Sequence, residues 1–206
     1  MVRRAAWLHK HKVMKAMRRR ETDQPLCGDV RIDDANLAGE RTGGEPGRAS
    51  ENKVAFVTAV QLHEGQPVRA RFDPVENFSF AALRTWADRA LAPGCRVTSE
   101  GLLGPEVIER LGYQQDAVIP PRGKAGPEIE PFPWLNTVLG DLKTPLAGTH
   151  HAFAFRKYAH RYLAEVNYRF NRRYDVAAMV SRLAVALMRT PPRPCGQIQM
   201  PAETET

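Results

Sequence analysis

The sequence is poor in cysteine and has no long apolar run. Its 206 residues include only Cys27, Cys95 and Cys195, which form no Cys-x-x-Cys pair and no zinc-ribbon spacing. This pattern argues against a structural zinc site and favours a reducing compartment. No stretch approaches the roughly 18 apolar residues that span a bilayer, and the N-terminus lacks the apolar segment of a secretory signal. We therefore expect a cytoplasmic protein that has no membrane partner.

Acidic residues are scarce in two stretches that are rich in lysine and arginine. Residues 1–20 hold eight Lys and Arg and no acid, and residues 155–173 hold six against the single acid Glu165. The net charge of +7 also favours a polyanionic partner such as DNA. The alternative is that these stretches are solvated faces, or helices that dock on the core. The candidate contacts to DNA phosphates are Arg18, Arg19, Arg20, Arg169, Arg172 and Arg173.

Hydrophobic spacing predicts alternating strands and helices. A proline-rich loop is expected at 120–133 and a flexible tail at 191–206. Asp175 is a plausible N-cap of the last predicted helix. The order of elements is that of a ribonuclease-H-like α/β fold, a mixed five-stranded sheet flanked by helices, with an N-terminal basic helix and C-terminal helices. The predicted helices are 4–20, 78–91, 105–111, 135–146, 155–168 and 175–188, and the strands are 30–39, 53–62, 67–73, 95–99 and 116–119.

The strand from Val30 to Gly39 carries a pair of acids, Asp33 and Asp34. Neighbouring carboxylates are costly unless a cation or solvent compensates them, so the pair is either a solvated turn or part of a cation site. In a ribonuclease-H-like sheet the first and fourth strands lie side by side. Asp33 and Glu100, which follows the fourth predicted strand, would then end close together.

The aromatic positions of the helix at 155–168 follow helical spacing. Phe155, Tyr158, Tyr162, Val166 and Phe170 recur at intervals of three and four residues, which is typical of a buried helix face. We expect them to form core and not a platform for base stacking.

Five segments of the chain resemble bacterial insertion-sequence transposases. The group is the ISXO-like branch of the DDE transposases, in which the third acid can be an Asn followed by a Lys. The resemblance covers roughly residues 5–195. The segments are Ile32–Gly44, Gly47–Lys53, Ala92–Val97, Trp134–Lys143 and Phe155–Tyr174.

The resemblance implies that residues 25–190 form a catalytic domain for metal-dependent DNA strand cleavage and transfer. Two Mg²⁺ or Mn²⁺ ions about 4 Å apart would be held by hard oxygen ligands. The ligand positions fall on Asp33 (with Asp34 as the less favoured choice), Glu100 and Asn136. Lys143 lies about two helical turns after Asn136, and its ammonium would either hold the scissile phosphate or offset charge at the site. DNA is the implied partner, bound by a homo-oligomer, and no small-molecule substrate is expected.

The chain departs from the family pattern at several places. Glu100 stands where the family usually has Asp, and the additional methylene moves the carboxylate by about 1.5 Å, which metal sites tolerate poorly. Asn36 and Ala38 replace an aromatic residue and a glycine. The usual zinc ribbon and helix-turn-helix are missing, and residues 1–24 resemble only the end of that DNA-binding region. We therefore expect a truncated copy with impaired catalysis. The alternative is a catalytically inactive DNA-binding remnant that modulates a full-length transposase.

Overall fold

A computed structural model describes residues 2–38, 53–99, 105–115, 133–149, 155–192 and 194–200. No helix within these ranges is both long and apolar enough to cross a membrane. The helices are α1 (Val2–Thr22), α2 (Phe80–Ala90), α3 (Pro105–Arg110), α4 (Pro133–Thr149), α5 (Phe155–Phe170), α6 (Met179–Met188) and α7 (Cys195–Gln199). The strands are β1 (Asp29–Ala38), β2 (Lys53–His63), β3 (Gln66–Pro74), β4 (Arg96–Ser99) and β5 (Gln114–Gln115).

The five strands form one mixed sheet in the order β3-β2-β1-β4-β5. β1, β2 and β3 pair in antiparallel fashion, whereas β4 runs parallel to both β1 and β5. This is the ribonuclease-H-like arrangement, and it confirms that the first and fourth strands are neighbours. The β2–β3 turn passes through Glu64 and Gly65, both with positive φ, and this conformation lets β3 fold straight back along β2.

The sheet carries a hydrophobic cluster on each face, and the alternation of apolar residues in β1 correctly predicts that one face of this strand is buried. Val30 and Ile32 point into a cluster that includes Trp86 of α2 and Ile108 of α3. The opposite face carries a second cluster, in which Phe56 and Val60 of β2 pack against α1, α4 and α5. We refer to these two sides of the sheet as the α2 face and the α4 face.

α5 covers the edge of the sheet and presents the aromatic row on the α4 face. Tyr162 is buried, and Tyr158, Val166 and Phe170 pack around it, so the prediction of a core role is confirmed for these four residues. Asn171, just after α5, accepts a hydrogen bond from the Ala70 N–H at 2.8 Å and donates one to the Ala70 carbonyl at 3.0 Å. Since β3 is an edge strand, these contacts satisfy backbone groups that would otherwise be open to pairing with another chain.

α1 docks on this helical layer through its apolar side. Met14 and Met17 are buried, while Arg19 and Arg20 remain exposed. The helix therefore packs on the core and also presents positive charge, so the two readings of the basic N-terminal stretch are compatible.

α6 begins four residues later than predicted, and Asp175 is not its N-cap. The residue at the cap position is Ala178, which makes no side-chain capping bond. Asp175 instead accepts the Ala178 N–H and forms an ion pair with Arg182 at 2.8 Å. Residues 177 and 178 form a turn, and the helix begins after it at Met179.

A short helix, α7, lies within the segment that we expected to be a flexible tail. Ile198 is fully buried, and its carbonyl accepts a hydrogen bond of 2.7 Å from the buried guanidinium of Arg161. At least this part of residues 191–206 is therefore packed on the core. The predicted strand at 116–119 and most of the predicted loop at 120–133 lie outside the described residues; β5 is at 114–115.

Candidate active site and basic cleft

Asp33 lies in β1 one position beyond the last residue that pairs with β4. The parallel ladder between these strands ends at the pair Ile32–Ser99, while on the other side Asp33 pairs with Thr58 of β2. The pairing of β1 with β2 therefore continues past Asp33, whereas its pairing with β4 ends just before Asp33. Glu100 itself lies outside the described residues.

The register distinguishes Asp33 from its neighbour Asp34. Asp33 is paired with Thr58, which lies between Phe56 and Val60 on the α4 face, whereas Asp34 is paired with Val57, which belongs to the cluster on the α2 face. Successive side chains of a strand point to opposite faces. Asp33 therefore belongs to the side of the sheet that carries α4, and Asp34 to the other side.

α4 packs over this part of the sheet and carries two of the predicted site residues. Leu135 and Val138 are buried in the same cluster as Phe56, and Ala35 of β1 packs against it. Asn136 lies between these anchors and is exposed. Lys143 belongs to the same helix two turns later, but its side chain lies outside the described residues.

The side chains of Asp33 and Asn136 have the donor chemistry that suits a hard divalent cation. A carboxylate and an amide oxygen are the ligands that Mg²⁺ takes up in proteins. Arg31, on the same face as Asp33, donates a hydrogen bond to the Thr98 hydroxyl. The hydroxyl of Thr58, opposite Asp33, is buried and has no hydrogen-bond partner within the described part of the chain. Within that part, no group of three or more His, Cys, Asp or Glu could hold a metal ion.

Two of the predicted DNA contacts are engaged within the fold. Arg172 forms an ion pair with Glu21, and the two side chains are only 10% and 7% exposed. Its guanidinium also lies 3.7 Å from the centre of the Tyr168 ring. Arg173 stacks on Phe170 and Tyr174 and donates to the Pro67 carbonyl. Arg19, Arg20 and Arg169, by contrast, are exposed.

The fold adds arginines that the sequence patterns did not single out. Arg69 of β3, Arg182 of α6 and Arg189, just after α6, line a cleft with Arg19 and Arg20 of α1. Burial lowers the pKa of Arg69, and the nearby guanidiniums of Arg71 and Arg172 lower it further, while Glu21 raises it. The five cleft arginines come from three separate parts of the sequence, so no local motif could have grouped them.

A buried histidine lies on the other side of α1 from this cleft. Desolvation lowers the pKa of His160 to about 2, and the cations Arg18, Arg161 and Lys15, together with His11, act in the same direction. Its Nε2 atom is buried and makes no hydrogen bond within the described part of the chain. His160 is therefore neutral in the folded protein and is not a general acid at physiological pH.

Comparison with known proteins identifies the family. Residues 25–171 match the ISXO2-like transposase domain. Comparison with curated proteins found no match. Among solved structures, a pre-cleavage Mos1 transpososome aligns at 9% identity over 90% of this chain with a TM-score of 0.28, and the alignment spans 63% of the Mos1 chain. The family match extends over well more than half of the sequence and includes β1, β4, α4 and α5. The chain belongs to the ISXO2-like transposase domain family.

Proposed function

We propose that this chain is the catalytic domain of an insertion-sequence transposase and performs metal-dependent DNA strand cleavage and transfer. The observation that carries the proposal is the position of Asp33, which lies on the α4 face directly beyond the end of the β1–β4 ladder. Continued by one pair, the parallel register would set Glu100 beside Asp33. Alternation would turn both carboxylates towards the helix that carries Asn136.

Each residue of this set has a distinct role in the proposed reaction. Asp33 and Glu100 supply negative oxygen ligands, and the Asn136 amide supplies a neutral one. When bound, two divalent cations would activate the attacking water or 3′-hydroxyl and stabilise the leaving oxygen. Lys143, on the same helix as Asn136, holds the scissile phosphate through its ammonium group. Since phosphoryl transfer depends mainly on positioning and charge, these residues act by alignment.

DNA is the proposed substrate, and the exposed arginines of α1 and α5 support this assignment. Arg19, Arg20 and Arg169 are exposed to solvent, which suits sequence-independent contact with phosphates. Residues 1–24, most of which form α1, would contribute to DNA binding. We further propose that the protein acts in the cytoplasm as a homo-oligomer assembled on DNA.

Two isosteric variants of adjacent residues test the catalytic assignment. Asp33→Asn should abolish strand transfer from a pre-cleaved DNA end in Mn²⁺, because it removes a charged ligand. Asp34→Asn should keep most of the activity, since Asp34 belongs to the opposite face. Mn²⁺ binding, followed by electron paramagnetic resonance, should be lost in the first variant and kept in the second. Equal behaviour of the two variants would contradict the assignment of Asp33.

The alternative function is that of a catalytically inactive DNA-binding remnant that modulates a full-length transposase. The substitution of Glu100 for the usual Asp favours it. In that case the wild-type protein would bind DNA but show no strand transfer above the level of Asp33→Asn, with or without Mn²⁺. Addition of the protein to an active full-length transposase would then lower its transfer rate.

A further inference from the structure

A cleft of about 620 Å³ lies between α1, α6 and the end of α5. Tyr168 and Asn171 lie at the end of α5, and Ala16, Val185 and Ala186 supply the apolar part of the walls. Most of the remaining lining is arginine. The charged residues are Arg19, Arg20, Arg69, Arg172, Arg182 and Arg189, against the single acid Asp23.

Among the residues that the structure describes, two of these six guanidiniums form an ion pair with an acid. Glu21 pairs with Arg172, and Asp175 pairs with Arg182. Within the described ranges, Arg69 donates to the backbone carbonyls of Gln24 and Pro25 and to no acid.

The other three guanidiniums, those of Arg19, Arg20 and Arg189, make no ion pair and no side-chain hydrogen bond among the residues that the structure describes. Four guanidiniums therefore face one carboxylate. Folding brings these like charges together, and an anion in the cleft would relieve their repulsion.

The chemistry of the lining selects the class of anion. Guanidinium groups match phosphate oxygens through paired N–H donors and bind them better than a point charge does. Arg172 already covers the Tyr168 ring at 3.7 Å, so that face of the ring is closed to a stacking base. The cleft is thus suited to the sugar–phosphate backbone and not to a base, and contacts of this kind carry no sequence information.

We propose that this cleft binds a phosphodiester segment of the DNA backbone through Arg19, Arg69 and Arg189, a site distinct from the catalytic carboxylates. The proposal rests on the DNA-binding role proposed above and assigns it to a particular place. It also assigns a structural role to Arg172, whose charge is balanced by Glu21. Arg189 becomes a DNA contact although it lies outside both basic stretches of the sequence.

A matched pair of double variants tests the cleft. Arg19→Gln with Arg189→Gln removes two charges from it, and Arg84→Gln with Arg110→Gln removes two charges from α2 and α3 on the opposite side of the sheet. Fluorescence anisotropy with a labelled duplex of arbitrary sequence gives the affinity at several salt concentrations. The cleft variant should bind at least about tenfold more weakly at 0.1 M salt. Its plot of log K against log salt should be less steep by about 0.9 to 1.8.

The control variant should stay within about twofold of the wild type. All four arginines are exposed, and near-equal melting temperatures of the three proteins would confirm that folding is intact. Equal losses of affinity in the two double variants would mean that only the overall charge matters, and this would overturn the proposal, as would an unchanged affinity of the cleft variant.

Inorganic phosphate and DNA affinity together separate the DNA backbone from a free anion as the source of the phosphate. At constant ionic strength, millimolar phosphate should stabilise the wild type more than the cleft variant whether the cleft holds DNA or a free anion, so the DNA affinity of the cleft variant decides between the two sources. Stabilisation of the wild type alone, together with unchanged DNA affinity of the cleft variant, would reassign the cleft to a free phosphate and overturn the proposal.

The test also separates this proposal from the catalytic one. If the cleft variant loses DNA affinity while the wild type shows no metal-dependent strand transfer, the cleft stands and the catalytic proposal fails. If strand transfer is observed and the cleft variant binds DNA as the wild type does, the catalytic proposal stands and the cleft fails.

Discussion

Asn167 of α5 hydrogen-bonds to both backbone groups of Phe72 in the edge strand β3. Its Oδ1 atom accepts the Phe72 N–H at 2.9 Å, and its Nδ2 atom donates to the Phe72 carbonyl at 3.5 Å. Asn171 makes the same pair of contacts with Ala70, two residues earlier in the strand. Asn167 and Asn171 are four residues apart, about one helical turn, so they lie on the same side of the chain at the end of α5. Their partners Phe72 and Ala70 are two residues apart, which is the repeat of a strand.

Asn167→Ala should therefore destabilise the protein by about 1–3 kcal/mol, because it leaves a buried backbone N–H without a partner. It should also open the edge of β3 to pairing with another chain, so aggregation during refolding should increase. Urea unfolding and light scattering measure the two effects. Gln199→Ala, at an exposed amide of α7, is the control and should stay within about 0.5 kcal/mol. Equal stability of the two variants would show that the contacts with Phe72 contribute nothing.

The stability of the protein should fall in mild acid because of His160. Its pKa is about 2 in the folded state against an ordinary value of 6.5, so between these values only the unfolded chain binds the proton. The contribution of His160 to the free energy of unfolding is complete above pH 6.5 and decreases by about 1.4 kcal/mol per pH unit below that value. From pH 6.5 to pH 5.0 the wild type should lose about 2 kcal/mol from this group.

His160→Leu should remove that part of the pH dependence, as measured by urea unfolding at pH 7.5, 6.5 and 5.0. His63→Leu, at an exposed position in β2, should leave the pH dependence as it is in the wild type. The same dependence of the unfolding free energy on pH in all three proteins would contradict the prediction. It would mean that the imidazole of His160 is charged in the folded state or that other groups cause the acid sensitivity.

Ile198→Ala should show that α7 is an integral part of the core. Ile198 is fully buried, and truncation of such a side chain typically costs about 2–5 kcal/mol. Met200→Ala, two residues later and 46% exposed, should cost less than about 0.5 kcal/mol. Chemical denaturation of both variants gives the comparison. A cost below 1 kcal/mol for Ile198→Ala would mean that α7 is not stably docked in solution.

Glu100→Asp should increase metal-dependent strand transfer from a pre-cleaved DNA end. Under the proposed assignment of Glu100 as a metal ligand, its side chain is one methylene longer than the aspartate that the family usually has, and metal sites tolerate such a displacement of a carboxylate poorly. The gain should appear in the rate of the chemical step, with DNA affinity nearly unchanged. Single-turnover assays at saturating DNA measure the rate. Equal rates for the two proteins would show that Glu100 is an adequate ligand.

Local sequence patterns were sufficient to predict most of the secondary structure. The alternation of Val30 and Ile32 and the apolar run of β2 are properties of neighbouring residues, and they indicated the strands and their buried faces correctly. The beginning of α6 was not predictable in this way, because Asp175 has the chemistry of an N-cap but bonds in a turn that precedes the helix. The packing of α7 depends on Arg161, which lies 37 positions earlier in the sequence.

The sequence by itself determined the order of the elements and the family, because periodicity and motifs are local features that survive without knowledge of the fold. Only the tertiary structure decided that Asp33 belongs to the α4 face of the sheet and Asp34 to the α2 face. A shift of one residue in the strand register reverses the face to which each side chain points. It also decided which arginines are available to a partner. Glu21 and Arg172 are 151 positions apart, and whether a charge is balanced depends on which distant residues the fold brings next to it.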